Sequence, residues 1–260
     1  MAKTSTGEMP FLDHLEELRW RIIWSLAALV VGLIIGFSIV TKFQLLHVLQ
    51  QPIAPYLAGR KLVYTHPGDT FSITLNAALL VGTIIASPVI IYQVWAFLSP
   101  ALYRHERRVV IPVILGAVLL FTAGVALAYF FVLPMTLRFL LNFQVESLEP
   151  MITASEYFGF VMILALTMGA VFELPLLILG LAALGLVTPK FLARFRKYAL
   201  VLSYVVAAFI TPGDLFITTI ALTVPLYLLY ELSVLLAYLV FRKRRAATYA
   251  AEQSTAGGVA

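Results

Sequence analysis

The sequence predicts an all-α integral membrane protein: six transmembrane helices with both termini cytoplasmic and the last two helices short. Of the 260 residues, 62% are hydrophobic and only 12% are charged, with a mean hydropathy of +0.97. Soluble domains carry about 25% charge, so this chain lacks the polar surface to cover a globule. Its apolar residues gather into six runs, and its 18 Lys and Arg residues sit unevenly around them.

A span needs about 20 mostly apolar residues. The first run covers residues 20–40; it is too long for a cleavable leader and has no small-x-small cleavage pattern, so it reads as a retained span. A loop with Pro52, Pro55 and Pro67 follows, and Asp69 at its end is expected to cap the next helix. The second span is 71–97, long enough to tilt. The third is 109–133, with its helix expected to continue outward. The fourth is 157–186. The fifth, 198–210, is short for a full crossing. The sixth, 215–241, contains Pro225. The last two are joined by the turn signal "TPGD" at 211–214. Residues 1–245 thus form one membrane domain. The tail at 246–260, rich in Ala, Gly, Ser, Thr and Gln, is expected to be disordered.

Cytoplasmic loops are enriched in Lys and Arg. One set of run ends holds Lys3, Arg19 and Arg21, then Arg104, Arg107 and Arg108, then Lys190, Arg194, Arg196 and Lys197, then the block at 242–245. The other set holds Lys42, Arg60, Lys61 and Arg138. The first set is therefore cytoplasmic. The net charge of +5 points to lipid headgroups and topology rather than nucleic acid. With no cysteine, thiolate chemistry and disulfides are excluded.

Motifs for enzymatic chemistry are missing. There is no Gly-Lys pair for a phosphate-binding loop, no H-E-x-x-H and no G-x-S-x-G, and His14, His47, His66 and His105 are scattered over both sides. No cofactor is expected. The acids are more informative. Glu17 has Arg21 four residues on, a favourable helical ion pair; the alternative is a receptor role. Glu106 has no basic residue at helical i±3 or i±4. Its partner is either tertiary, Arg19 or Arg194, or a cationic group from outside, for which Arg is the best match through paired hydrogen bonds. Glu173, before Pro175, is an ionisable group at membrane depth. It reads either as a neutral hydrogen-bond donor to a neighbouring helix or as a docking point for a partner. Asp214 suits a cap for the last helix, and Glu231, near Tyr227 and Tyr230, suits a structural acceptor. Gln93 and Asn76 read as contacts between helices. Trp20, Trp24, Trp95 and Tyr103 fit an aromatic belt. Phe97 is placed to wall a groove beside Glu106.

Four stretches carry a resemblance: "HLEELRWR" (14–21), "SPVIIYQVWAFLSPALYRHERR" (87–108), "FELP" (172–175) and "TPGD" (211–214). Together, and in this order, they resemble the multispanning C subunit of the twin-arginine protein translocase, the TatC family. The likeness runs from about 11 to 241. It implies a cupped, concave wall of six helices, in the cytoplasmic (inner) membrane of a bacterium. It implies a receptor for twin-arginine signal peptides of folded preproteins, working in an oligomeric complex with the single-span partners TatA and TatB. Transport would be driven by the proton-motive force, without nucleotide. By position, Glu17 and Glu106 match the family's signal-binding acids, and Arg19, Gln93, Phe97 and Arg107 match the surrounding groove. Glu173 matches an intramembrane glutamate tied to partner interaction, Pro52 an outer-loop proline, and Asp214 the acid at the tip of the last hairpin.

Two other classes are disfavoured. A secondary transporter would show internal repeats and broken helices at corresponding positions, and an intramembrane enzyme would need a nucleophile–base or metal constellation; the sequence offers neither.

Overall fold

The structure, a computed structural model, describes residues 11–57, 59–98, 110–142, 151–183, 185–211 and 216–256. Among them it is all-helical, with one isolated β-bridge between Val63 and Thr153. Helix α1 spans Phe11–Lys42, and Gln44, at a φ of 48°, then turns the chain into the short α2, Leu45–Gln50. A 3-10 turn at Ala54–Tyr56 follows, started by Pro55. Ile53, fully buried, anchors this loop.

Helix α3 spans Asp69–Leu98. Asp69 does not act as the expected cap. It is already the first helical residue, and its Oδ2 accepts the N–H groups of Thr65 at 3.0 Å and His66 at 2.9 Å, fastening the preceding loop instead.

The third apolar run is one long rod. Helix α4, Val110–Leu127, passes through a π turn at Ala128–Val132 into α5, Leu133–Asn142. Pro134 removes the donor that the Phe130 carbonyl would receive in a regular helix, and a π turn is a common accommodation of such a lesion. The fourth run is broken. Helix α6, Ala154–Phe172, is capped by Thr153 Oγ1, which accepts from Glu156 N–H at 3.3 Å. It stops at Glu173, and α7, Leu174–Ala183, starts over Pro175. Gly185, at φ +79°, then ends α7 with a bond from Leu186 N–H to the Leu181 carbonyl, a glycine-terminated C-cap.

Helix α8 spans Pro189–Ile210, with Thr188 as its cap and proline at its first position. Its first half carries Lys190, Arg194, Arg196 and Lys197, and its apolar end is the short run expected at 198–210. Helix α9 spans Ile217–Ala256. The tail expected to be disordered from residue 246 therefore continues the helix as far as Ala256. The Ala-rich composition that lowers hydrophobicity also favours helix, and here propensity prevails.

Among the described residues, five helical segments are long and apolar enough to cross a membrane: Leu15–Lys42, Asp69–Phe97, Ile111–Asn142, Ala154–Ala182 and Ile217–Leu239. Helix α8 is not among them, because its basic half leaves too short an apolar stretch. Much of α1 is uncovered, with Ile34, Val30 and Trp24 all more than half exposed. In water that would be a liability; in a bilayer it is lipid contact.

Small residues set the packing, as expected where lipid removes the hydrophobic drive between helices. Helices α1 and α3 meet backbone to backbone: a Cβ at Gly36 would come within 2.4 Å of the Ala78 carbonyl oxygen, and one at Gly82 within 2.7 Å of the Gly32 carbonyl carbon. Gly124 brings α4 equally close to Met168 of α6, and Gly169 makes room for the Phe121 ring. Tyr129 and Tyr157 then hold the loop after α1, donating to the carbonyls of Val48 at 2.6 Å and Leu49 at 2.7 Å.

Candidate functional site

The close α1–α3 contact brings the start of α1 beside the end of α3. There, Arg21 Nε donates to Glu17 Oε1 at 3.0 Å, and its Nη2 donates to the same oxygen. Arg21 Nη1 reaches Gln93 Oε1 on α3 at 3.4 Å. The Glu17 and Arg21 side chains are each about one-fifth exposed, 21% and 22%. At that burial a charged hydrogen bond is worth more than on an open surface. Ser25 Oγ donates back to the Arg21 carbonyl at 2.9 Å and adds order to this turn of α1. The result is a line of acid, guanidinium and amide across two helices.

The helical pairing of Glu17 with Arg21 is thus present, and Gln93 makes the contact between helices expected of it. Phe97 lies one turn beyond Gln93, half-buried, and Trp95 between them is buried in a small core with Val113, Ala117 and Leu176. Arg19 is exposed. Glu106 and Arg107 lie outside the described residues, as does Asp214. Pro52 sits in the loop after α1 beside buried Ile53, at the far end of α1 from Glu17.

Glu173 occupies the break between α6 and α7. Its N–H donates to the Ala170 carbonyl at 3.1 Å, and its own carbonyl receives both Leu176 and Leu177 N–H at 3.0 Å. The side chain is half-buried, and Oε1 is buried with no hydrogen-bond partner among the described residues. An acceptor in that state costs about 1–3 kcal/mol. The sequence pointed to this residue through Pro175.

A polar group that the sequence did not resolve joins α8 to α9. Arg196 Nε meets Glu231 Oε1 at 2.9 Å and its Nη2 meets Oε2 at 3.0 Å, while Tyr227 Oη donates to Oε1 at 2.8 Å. Glu231 is a structural acceptor as expected. The Tyr227–Glu231 spacing was legible; Arg196, 35 residues away, was not. No group of three or more metal-ligating side chains forms among the described residues.

Comparison with known proteins agrees with this architecture. The family described as Sec-independent protein translocase protein (TatC) matches residues 13–225. The Aquifex aeolicus protein named Sec-independent protein translocase protein TatC is 41% identical over 239 residues, covering 91% of this chain and 98% of that protein. The Escherichia coli K12 protein of the same name is 36% identical, covering 86% of each. The Bacillus subtilis protein TatCy is 35% identical, covering 99% of this chain and all of the relative. A crystal structure titled as the twin-arginine translocase receptor TatC superimposes with a TM-score of 0.73 at 40% identity, over 88% of this chain and 99% of that one. These relatives are protein-transport components of membranes, not enzymes. On this agreement of sequence, helical layout and solved structure, the chain belongs to the TatC family of Sec-independent protein translocase proteins.

Proposed function

We propose that this protein is the core receptor subunit of a twin-arginine translocase in a bacterial cytoplasmic membrane. It binds the twin-arginine signal peptides of folded preproteins. With TatA and TatB partners in an oligomeric complex, it supports export driven by the proton-motive force. In this reading α8 with α9 supplies the fifth and sixth crossings, both termini are cytoplasmic, residues 1–245 form the membrane domain, and the six helices make a cupped wall. Glu17 and Glu106 take the two cargo guanidinium groups, and Arg19, Gln93, Phe97 and Arg107 complete the groove. Glu173 meets a polar group of a partner helix, and Pro52 and Asp214 shape the outer loops.

The observation that carries this reading is the Glu17–Arg21–Gln93 line. It supplies a guanidinium-binding carboxylate, half-buried, at the Arg-rich end of α1. It also suggests how cargo enters. Arg21 already occupies Glu17, so an incoming arginine exchanges one guanidinium for another instead of filling a bare carboxylate. Gln93 Oε1, close to Nη1, keeps an acceptor for the displaced side chain. Exchange of this kind favours Arg over Lys, because only a planar fork reproduces both donor bonds.

The test is crosslinking of a signal peptide to the protein in membranes. A twin-arginine peptide is compared with its twin-lysine version, on wild type, Glu17→Ala and Glu106→Ala. Contact that requires the arginines and either acid supports the receptor reading; equal crosslinking in every combination moves recognition to another subunit.

A further inference from the structure

A cavity of about 980 Å³ opens between the start of α8 and the last part of α9. We propose that it is a binding site for one anionic phospholipid, a role independent of signal-peptide recognition. Three observations support it: the charge at its mouth, the character of its wall, and its depth.

The mouth is basic. Lys190, in the first turn of α8, and Arg242, on α9, both line the cavity and are exposed. Among the described residues neither has an acidic partner. The third cation, Arg196, is committed to Glu231. The charge left over is positive, and it adjoins the N-terminus of α8, whose helix dipole also favours an anion. Basic pockets between membrane helices are the common receptors for lipid phosphates.

Below the mouth the wall is mainly apolar, formed by Val234, Leu235, Tyr238 and Phe241 of α9 with Ala193 of α8, and the mutually neutralised Arg196–Glu231 pair also lines it. A free phosphate or a soluble nucleotide gains nothing from such a wall; an acyl chain does. Leu235 and Tyr238 are each more than half exposed, so the groove is open along its length, as entry from the bilayer requires.

The depth is right. The apolar run of α9 ends at Phe241, which sets Arg242 at the edge of the hydrocarbon, at headgroup level. From Arg242 down to Glu231 the helix descends about 16 Å, close to half of a hydrocarbon core of about 30 Å. The groove therefore holds one chain of one leaflet, with its phosphate at the basic mouth.

The experiment is native mass spectrometry of the full chain, released from detergent and titrated with phosphatidylglycerol or, separately, phosphatidylcholine. Wild type is expected to retain phosphatidylglycerol preferentially. The double variant Lys190→Gln/Arg242→Gln is expected to bind it about tenfold or more weakly, with phosphatidylcholine unaffected. Leu235→Trp, which narrows the groove and keeps the charge, is expected to weaken both lipids. Equal retention of the two lipids by wild type, or undiminished phosphatidylglycerol binding by the double variant, overturns the proposal. So does displacement of bound lipid by millimolar inorganic phosphate, which would make this a free-anion site. Thermal unfolding of each variant in the same detergent separates loss of binding from loss of fold.

Discussion

Arg196 and Glu231 join the last two helices through two contacts, 2.9 and 3.0 Å long, although 35 residues separate them. The Arg196 side chain is 50% exposed and that of Glu231 32%, so part of the interaction is screened wherever water reaches it. A double-mutant cycle with Arg196→Gln and Glu231→Gln is expected to give a coupling of about 1 kcal/mol. A coupling near zero would mean that α8 is held on α9 by packing alone.

The α1–α3 contact tolerates no added side chain. Gly82→Val is expected to cost about 3 kcal/mol or more, because the new atoms meet backbone of Gly32 and Leu33 that cannot rotate away. Gly116→Ala is the control. Nothing lies within 4 Å of that Cβ position, and a helical alanine is worth up to about 1 kcal/mol over glycine. Melting temperatures in one detergent should fall for the first variant and hold or rise for the second.

Tyr157 is buried, and its hydroxyl ties α6 to the Leu49 carbonyl across 108 positions of chain. Tyr157→Phe removes the donor and strands the carbonyl, at an expected cost of about 1–3 kcal/mol. The loss should show as a lower melting temperature and as faster proteolysis in the loop after α1. Unchanged protection there would show that Tyr129 and Ile53 secure the loop without it.

Arg21 competes with cargo for Glu17 if exchange is the route of entry. Arg21→Gln is then expected to tighten twin-arginine peptide binding several-fold, since a charge-assisted contact worth about 1.5–3 kcal/mol no longer has to be displaced. Glu17→Gln should weaken it about tenfold. Fluorescence anisotropy of a labelled peptide on purified protein reads both. Weaker binding to Arg21→Gln would mean that Arg21 positions the acid and does not occupy its place.

Helix positions were legible because hydropathy reports them directly: the expected spans 20–40, 71–97 and 198–210 each fall within one observed helix, while 109–133 runs on through the π turn and 157–186 is divided at Glu173. The breaks were partly legible. Pro175 marks the interruption at Glu173, but Pro134 does not announce a π turn, since a proline inside a helix predicts disturbance without its form. Asp69 shows the limit of motif reading. An acid at a helix start suits a cap, yet a shift of one position sends its carboxylate to the loop behind. In the site, Glu17–Arg21 was visible as an i, i+4 pair, while its extension to Gln93, 72 residues on, depended on how α1 crosses α3. That crossing is set by glycines whose partners no periodicity identifies.

The glycine contact between α1 and α3 also has a mechanical consequence. Two rods in backbone contact resist bending far better than either alone, and tyrosine hydroxyls bolt the far end of this pair to α6 and the adjoining π turn. Helix α8, by contrast, leans chiefly on α9, and the fourth run is hinged at Glu173. The molecule thus divides into a stiff beam and a compliant arm.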